Sequence, residues 1–297
     1  MRRAGRVLAL GLALTFGGGS ALARCEDYVP QPKPQNADRD YMGQTLDEIL
    51  DRGFVEFAVY ADFPPWSFAE GDTAAGVDVE IGRLIADGMG VEARFRLVAA
   101  AEDLAADLRN WVWKGPLVGG GVANVMLHVP YDSDFTCRIE QVMFTGLYDV
   151  ETLAIAYDGA VFPDDAPLPA YFRMHRVGVE NDSISDFYLS AMAGGQLGPN
   201  ISRFATLEGA MAALAAGEVT ALMGPRAQLE AGLGGALLHV PPFPGLMKPD
   251  WPIGLAVHHS HRDLGYMIEG IVAEAVADGR IGAIFEARGL SWTAPEW

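Results

Sequence analysis

The chain has 297 residues, half of them apolar, with 39 acidic against 21 basic side chains and a net charge of −18. That balance excludes a nucleic-acid binder, because phosphate contacts need clustered Lys and Arg, while it suits a cationic partner or plain solubility. The length allows one large or two medium domains with ample core.

Arg2, Arg3 and Arg6 precede an apolar run over residues 7–16, and a small-residue stretch then ends in Ala21-Leu22-Ala23. This is the layout of a secretory signal peptide cleaved after Ala23. The run is too short for the about 20 residues that span a bilayer, and no later run reaches that length. A periplasmic mature chain without a membrane span is therefore expected. Its loss of three arginines and no acid takes the charge from −18 to −21. Cys25 raises lipid anchoring as an alternative, against which Arg24 stands where a lipobox needs a small residue. Cys25 and Cys137 are the only cysteines. In an oxidising compartment such a pair reads as one disulfide rather than two free thiols. No Cys-x-x-Cys-His motif is present, so covalent haem is excluded, and no cofactor is expected.

Residues 24–44 are polar and carry Pro30, Pro32 and Pro34, an extended arm. A helix is predicted over 45–52, with Thr45 and Glu48 as a capping box and Gly53 as its stop. A strand over 55–60 enters the turn Phe63-Pro64-Pro65-Trp66. Asp78 is expected to cap a helix bearing Ile81, Leu84, Ile85 and Met89 at helical spacing. A strand at 91–98, a helix at 104–113 and a strand at 125–129 follow. A second run begins after a strand at 153–157. It comprises a strand at 177–179, a helix capped by Ser183 or Ser185, a helix capped by Thr206 and ended at Gly217, a strand at 219–223 and a short helix at 226–233. Residues 237–240 and a Pro-rich stretch lead to a strand at 253–257 and helices at 263–277 and 280–288. Such alternation predicts an α/β fold with largely parallel sheets.

Over roughly residues 54–290 the chain resembles the bacterial extracellular solute-binding protein family 3, the polar-amino-acid receptors of ABC transporters. Phe63-Pro64-Pro65-Trp66-Ser67-Phe68 is similar to that family's first ligand loop, and Gly76-Val77-Asp78-Val79-Glu80 to its signature. Arg138 with Val142, Phe144, Thr145 and Tyr148 matches its arginine-to-hinge spacing. Val177-Gly178-Val179, Gly217-Glu218-Val219 and Asp278-Gly279-Arg280-Ile281 fall at later landmarks. The resemblance implies the type II periplasmic binding protein fold, two α/β lobes joined by a two-strand hinge. Residues 45–150 and 250–297 would form lobe one and 151–249 lobe two, with crossings near 150–153 and 246–252. Ligand would sit between the lobes and close them by touching both.

The ligand-binding candidates are Tyr60, Phe63, Trp66, His128, Arg138, Ser183 and Ser185. Phe63 and Trp66 would form an aromatic wall, unless Trp66 packs beneath the loop as core. Tyr60 stands where basic-amino-acid receptors carry an acid, so a cationic side chain is not anticipated. Arg138 would clamp a carboxylate bidentately or else form a surface ion pair with Glu140 or a nearby Asp. Ser183 and Ser185 would offer donors from lobe two or simply cap a helix. Two departures oppose amino-acid binding. In His128-Val129-Pro130-Tyr131-Asp132, Pro130 has no N–H to give. Pro225 falls where the family carries the acid that receives the ligand's ammonium, and an unpartnered buried ammonium costs several kcal/mol.

The stretch 125–132, with Arg109-Asn110 upstream, is similar to a narrower subgroup, the binding-protein-like accessory components of PQQ-dependent methanol and alcohol dehydrogenases. That resemblance implies a periplasmic quinoprotein dehydrogenase or its cytochrome as partner and a role in methanol oxidation. The alternative is an ABC transporter receptor for a small carboxylate or amino-acid-like solute, with a permease as partner. Among His258, His259 and His261 only the last two could share a metal, since neighbours on a strand face opposite ways. No Ser/His/Asp or paired-carboxylate motif stands out, so no enzyme is expected.

Overall fold

The computed structural model describes residues 43–118, 120–234 and 236–296. The expected signal peptide, Cys25 and nearly all of the arm lie outside these residues.

The first half runs α1 (Leu46–Arg52), β1 (Phe54–Tyr60), β2 (Asp62–Phe63), β3 (Ser67–Glu70), β4 (Thr73–Ala75), α2 (Val77–Met89), β5 (Glu92–Val98), α3 (Leu104–Leu108), β6 (Val125–Pro130) and α4 (Ser133–Thr136). Then come β7 (Val142–Tyr157), β8 (Val177–Glu180), α5 (Ile184–Ala191), β9 (Ile201–Phe204), α6 (Leu207–Ala215), β10 (Ala221–Pro225), α7 (Arg226–Leu233) and β11 (Leu237–His239). The described chain closes with β12 (Asp250–His258), α8 (Arg262–Ala277) and α9 (Arg280–Ala287). The capping box at Thr45 forms as expected, with Glu48 answering on the Thr45 backbone N–H at 2.8 Å. The helix expected over 104–113 is α3 followed by a π turn over Arg109–Trp113.

The main sheet has the order β5-β1-β6-β12-β7-β10-β8-β9, with β11 added alongside β7. Its outer strands pair in parallel, whereas β12 runs antiparallel to both β6 and β7, and β10 antiparallel to β7. Up to Thr152, β7 pairs with β12; from Leu153 onward it pairs with β10. One unbroken strand therefore belongs to two lobes, and β12 begins opposite the exchange, at Asp250.

Side-chain alternation builds a core on each face of each lobe. In lobe one, Val55, Phe57 and Leu127 face α2, α8 and α9, while Ala58 and Met126 face Leu108 and Val112. In lobe two, Leu153 and Ile155 pack with Val177, Val179 and Leu189, while Ala154 and Ala156 pack with Leu207 and Leu229. Trp251, at the start of β12, touches the cores of both lobes. β6 is buried on both faces, as a central strand should be. No helix among the described residues is long and apolar enough to cross a membrane.

One expectation at the start of α2 is corrected. Gly76, not Asp78, is the N-cap, with φ at 122°. A Cβ there would lie 2.2 Å from the Trp66 carbonyl oxygen, so only glycine lets α2 begin against the Trp66 backbone. Asp78 lies inside the first turn, fully buried, and accepts a hydrogen bond from the Tyr148 hydroxyl at 2.6 Å. The cap role is displaced because that side chain points inward to the hinge strand.

Candidate functional site

A cavity of about 570 Å³ lies between the lobes. Its walls come from the C-terminal ends of β1, β5 and β6 in lobe one, the β10–α7 junction in lobe two, and the two crossing strands. Ligand sites in open α/β sheets lie in such crevices beyond the strand ends.

Four of the sequence candidates meet here: Tyr60, Phe63, Trp66 and His128 all line the cavity. The Phe63–Trp66 turn is closed by a hydrogen bond from the Trp66 N–H to the Phe63 carbonyl at 2.9 Å. Trp66 is 1% exposed, so it is at once core and cavity floor. His128 sits with ring centroids 4.6 Å from Trp66 and 4.9 Å from Phe63. Its backbone is left-handed, at φ 58°, a conformation a non-glycine residue holds only where its surroundings enforce it. Those surroundings are the two rings and buried Asp78, whose Oδ2 is 3.4 Å from His128 Nδ1. Burial and the neighbouring Asp78 hold the Tyr148 hydroxyl well above the ordinary phenol range, so it stays a donor to Asp78.

Tyr60 donates its hydroxyl to Asp107 Oδ2 at 2.8 Å, and Asp107 Oδ1 receives the Ala101 N–H at 2.7 Å. Burial first, then Asp107, raises the Tyr60 phenol far above its usual range. Asp107 lines the same cavity, so an acid lies beside Tyr60 after all, supplied by α3. Sequence reasoning found no signal for this pairing, because Asp107 reads as an ordinary helical acid.

The other three candidates lie outside the cavity lining. Arg138 is exposed, in the turn after α4, where its N–H bonds the Phe135 carbonyl at 3.0 Å. Ser183 is the N-cap of α5, accepting from the Asp186 N–H at 3.2 Å and donating to the Glu180 carbonyl at 2.7 Å. Ser185 is buried in the first turn of the same helix. In their place the cavity gains Glu151, Trp251, Pro225 and Gln228.

Glu151 is the buried acid of the hinge strand, 2% exposed. Its Oε1 accepts from the Thr152 N–H at 2.9 Å and the Ala227 N–H at 3.5 Å, while Oε2 has no protein hydrogen-bond partner. Burial pushes its carboxyl up to about 7, the Thr152 N–H opposing and Asp149 adding to the rise. Asp149, two residues earlier, is likewise pushed up to about 7 by burial, against the pull of the Thr293 N–H and Arg226.

Among the described residues no group of three potential ligands is placed to hold a metal. The imidazoles of His258, His259 and His261 do cluster, with centroids 4.6 and 5.7 Å from His258. Alternation fails to separate His258 from His259 because β12 ends at His258.

No protein-family model matches the chain, and no curated protein matches it. Solved structures do. The ancestral cationic amino acid solute-binding protein AncCDT-1 aligns at a TM-score of 0.66 and 18% identity, over 82% of this chain and 99% of that one. The fold is that of the type II periplasmic binding proteins. An amino acid ABC transporter substrate-binding protein from Streptococcus pneumoniae, bound to L-arginine, aligns on this binding-protein fold at a TM-score of 0.57 and 15% identity, covering 84% of this chain and all of its own. A solute receptor for L-cysteine from Neisseria gonorrhoeae aligns at 0.52 and 20%, covering 82% and 93%. These neighbours are binding proteins, although AncCDT-1 is also described as a precursor of cyclohexadienyl dehydratase.

Proposed function

We infer that this chain is a solute-binding protein of the periplasm, a receptor that captures a small molecule between its lobes and presents it to an ABC permease. The observation that carries the reading is the inter-lobe cavity. It combines an aromatic wall, a hinge-strand carboxylate with one unpartnered oxygen, and residues of both lobes, the arrangement that lets a ligand close a hinge. The solved neighbours, two solute-binding proteins or receptors and an arginine-bound transporter component, agree with that role. The export leader read from residues 1–23 supplies the compartment.

The expected outcome is ligand-induced thermal stabilisation of the mature protein by some member of a panel of amino acids, amines, carboxylates and alcohols. Phe63→Ala and Trp251→Ala should abolish it. Phe187→Ala, at an exposed lobe-two position away from the cavity, should not. Failure of every solute to shift the melting temperature overturns the receptor reading. The quinoprotein-associated reading rests on 125–132 and the Arg109–Asn110 pair, whose side chains meet at 3.1 Å in the π turn. It requires direct binding to a periplasmic quinoprotein dehydrogenase or its cytochrome, which size-exclusion chromatography of the mixed proteins tests.

A further inference from the structure

We propose that the inter-lobe cavity takes a small organic cation without a carboxylate, such as an alkylamine or methylated ammonium, with Glu151 receiving the charged nitrogen. The proposal rests on the receptor reading above and names the chemistry of its solute.

The charge of the lining comes first. Asp62, Asp103, Asp107 and Glu151 line the cavity, and neither lysine nor arginine does. Arg138, the residue expected to hold a carboxylate, is outside it. Two helix-start backbone donors that an anionic group would seek are already occupied by the chain's own acids. Asp103 accepts from the Ala106 N–H at 2.8 Å at the start of α3, and Glu151 Oε1 accepts from Ala227 in the first turn of α7. Pro130 and Pro225, which also line the cavity, have no N–H. A ligand carboxylate would meet like charges and few free donors.

A nitrogen cation meets the opposite. Glu151 Oε2 is buried without a hydrogen-bond partner, and a buried polar atom in that state destabilises the fold unless a donor reaches it. An ammonium N–H meets that need, or a quaternary ammonium supplies the compensating charge. Tyr60, Phe63 and Trp251, none of them fully buried, line the same space, and aromatic rings attract a cation. Pro225, at the position where the resemblance places the ammonium-receiving acid, is itself in the lining, so the acceptor has moved from lobe two to the hinge strand.

A proton should leave as the ligand binds. The groups facing Glu151 are Asp149 on the same strand, Arg226 of α7, and the N–H groups of Thr152 and Ala227, while His128 of β6 acts on Asp149. With its carboxyl held near 7 by burial, Glu151 is partly protonated at neutral pH, and a bound cation favours the charged form. Binding at pH 7 therefore releases protons.

The test uses matched probes on the mature protein: agmatine against arginine, cadaverine against lysine, and choline against glycine betaine. Isothermal calorimetry, repeated in buffers of different ionisation enthalpy, should find at least one cation binding about tenfold or more tighter than its carboxylated counterpart, with proton release. Glu151→Gln, which keeps an acceptor at Oε1, should weaken that cation on the order of 100-fold, and Glu151→Asp less. Equal or tighter binding of the carboxylated partners overturns the proposal and leaves the receptor reading standing. So does cation affinity unchanged in folded Glu151→Gln, or binding confined to some solute outside the panel. Absence of binding by any solute removes the receptor reading itself.

Discussion

On the lobe-one side of the cavity the polar side chains hold one another. Tyr60 is bonded to Asp107, His128 leans on Asp78, Asp78 is bonded to Tyr148, and Trp66 lies packed beneath them. On the opposite side lobe two offers Pro225 and half-buried Gln228, and its serine candidates are turned to capping and packing α5. Between them Glu151 has one oxygen engaged and one not. On the receptor reading proposed above, the difference makes lobe one a preformed face and the far wall one that the ligand itself completes. On that reading, preorganisation on one side would lower the ordering entropy lost on binding, and contacts to lobe two would then favour closure.

The sharpest way to break this asymmetry is to remove the floor. Trp66→Ala should destabilise the protein by about 3–5 kcal/mol, as large buried aromatics do, whereas Gln228→Ala should stay within about 0.5 kcal/mol. Urea denaturation of the two variants compares them directly; equal midpoints would show the two walls to be equally pliable.

The bridge expected between Cys25 and Cys137 would brace the same lobe. Cys25 lies outside the described residues, so the pairing stands as a proposal from compartment and cysteine count. Closing a loop of about 110 residues stabilises by about 2–4 kcal/mol in typical cases. Cys137→Ser should lower the melting temperature accordingly, and thiol labelling of the unreduced, unfolded wild type should find no free cysteine. Two alkylated cysteines would rule the bridge out.

A smaller effect lies at the boundary between the walls. Asp149 and Glu151 both hold their protons more tightly folded, near 7, than in an unfolded chain at about 4 to 4.5. The folded state then binds more protons between about pH 4.5 and 7, so these groups make stability fall as pH rises through that window. The melting temperature should drop by on the order of several degrees between pH 5 and pH 8 in the absence of ligand. Glu151→Gln should flatten the slope; an unchanged profile would place the titration elsewhere.

The sequence made the order of elements readable because periodicity and capping are local. Thr45, Ser183 and Thr206 all cap the helices that follow them. Phe63 and Trp66 could be found from a contiguous loop motif. Glu151 could not, although it had a signal: with Asp149 it forms an acid pair two residues apart, on one strand with the apolar run Leu153-Ala154-Ile155-Ala156 that follows. Arg138 shows the opposite failure. Spacing from the hinge fixed its place along the chain, but the direction of an exposed turn after a four-residue helix is set by tertiary packing. Asp107 needed the Tyr60 hydroxyl brought across from another element before its role was visible.

The long strand β7 has one further consequence. Its sixteen residues run through both lobes, and near the crossing the Val150 N–H bonds the Thr293 carbonyl while the Leu153 N–H bonds the Pro249 carbonyl. An axis laced in this way behaves as a torsion bar and not as a loose pin. Rotation of one lobe against the other would twist a shared beam, so elastic resistance would grow with the angle.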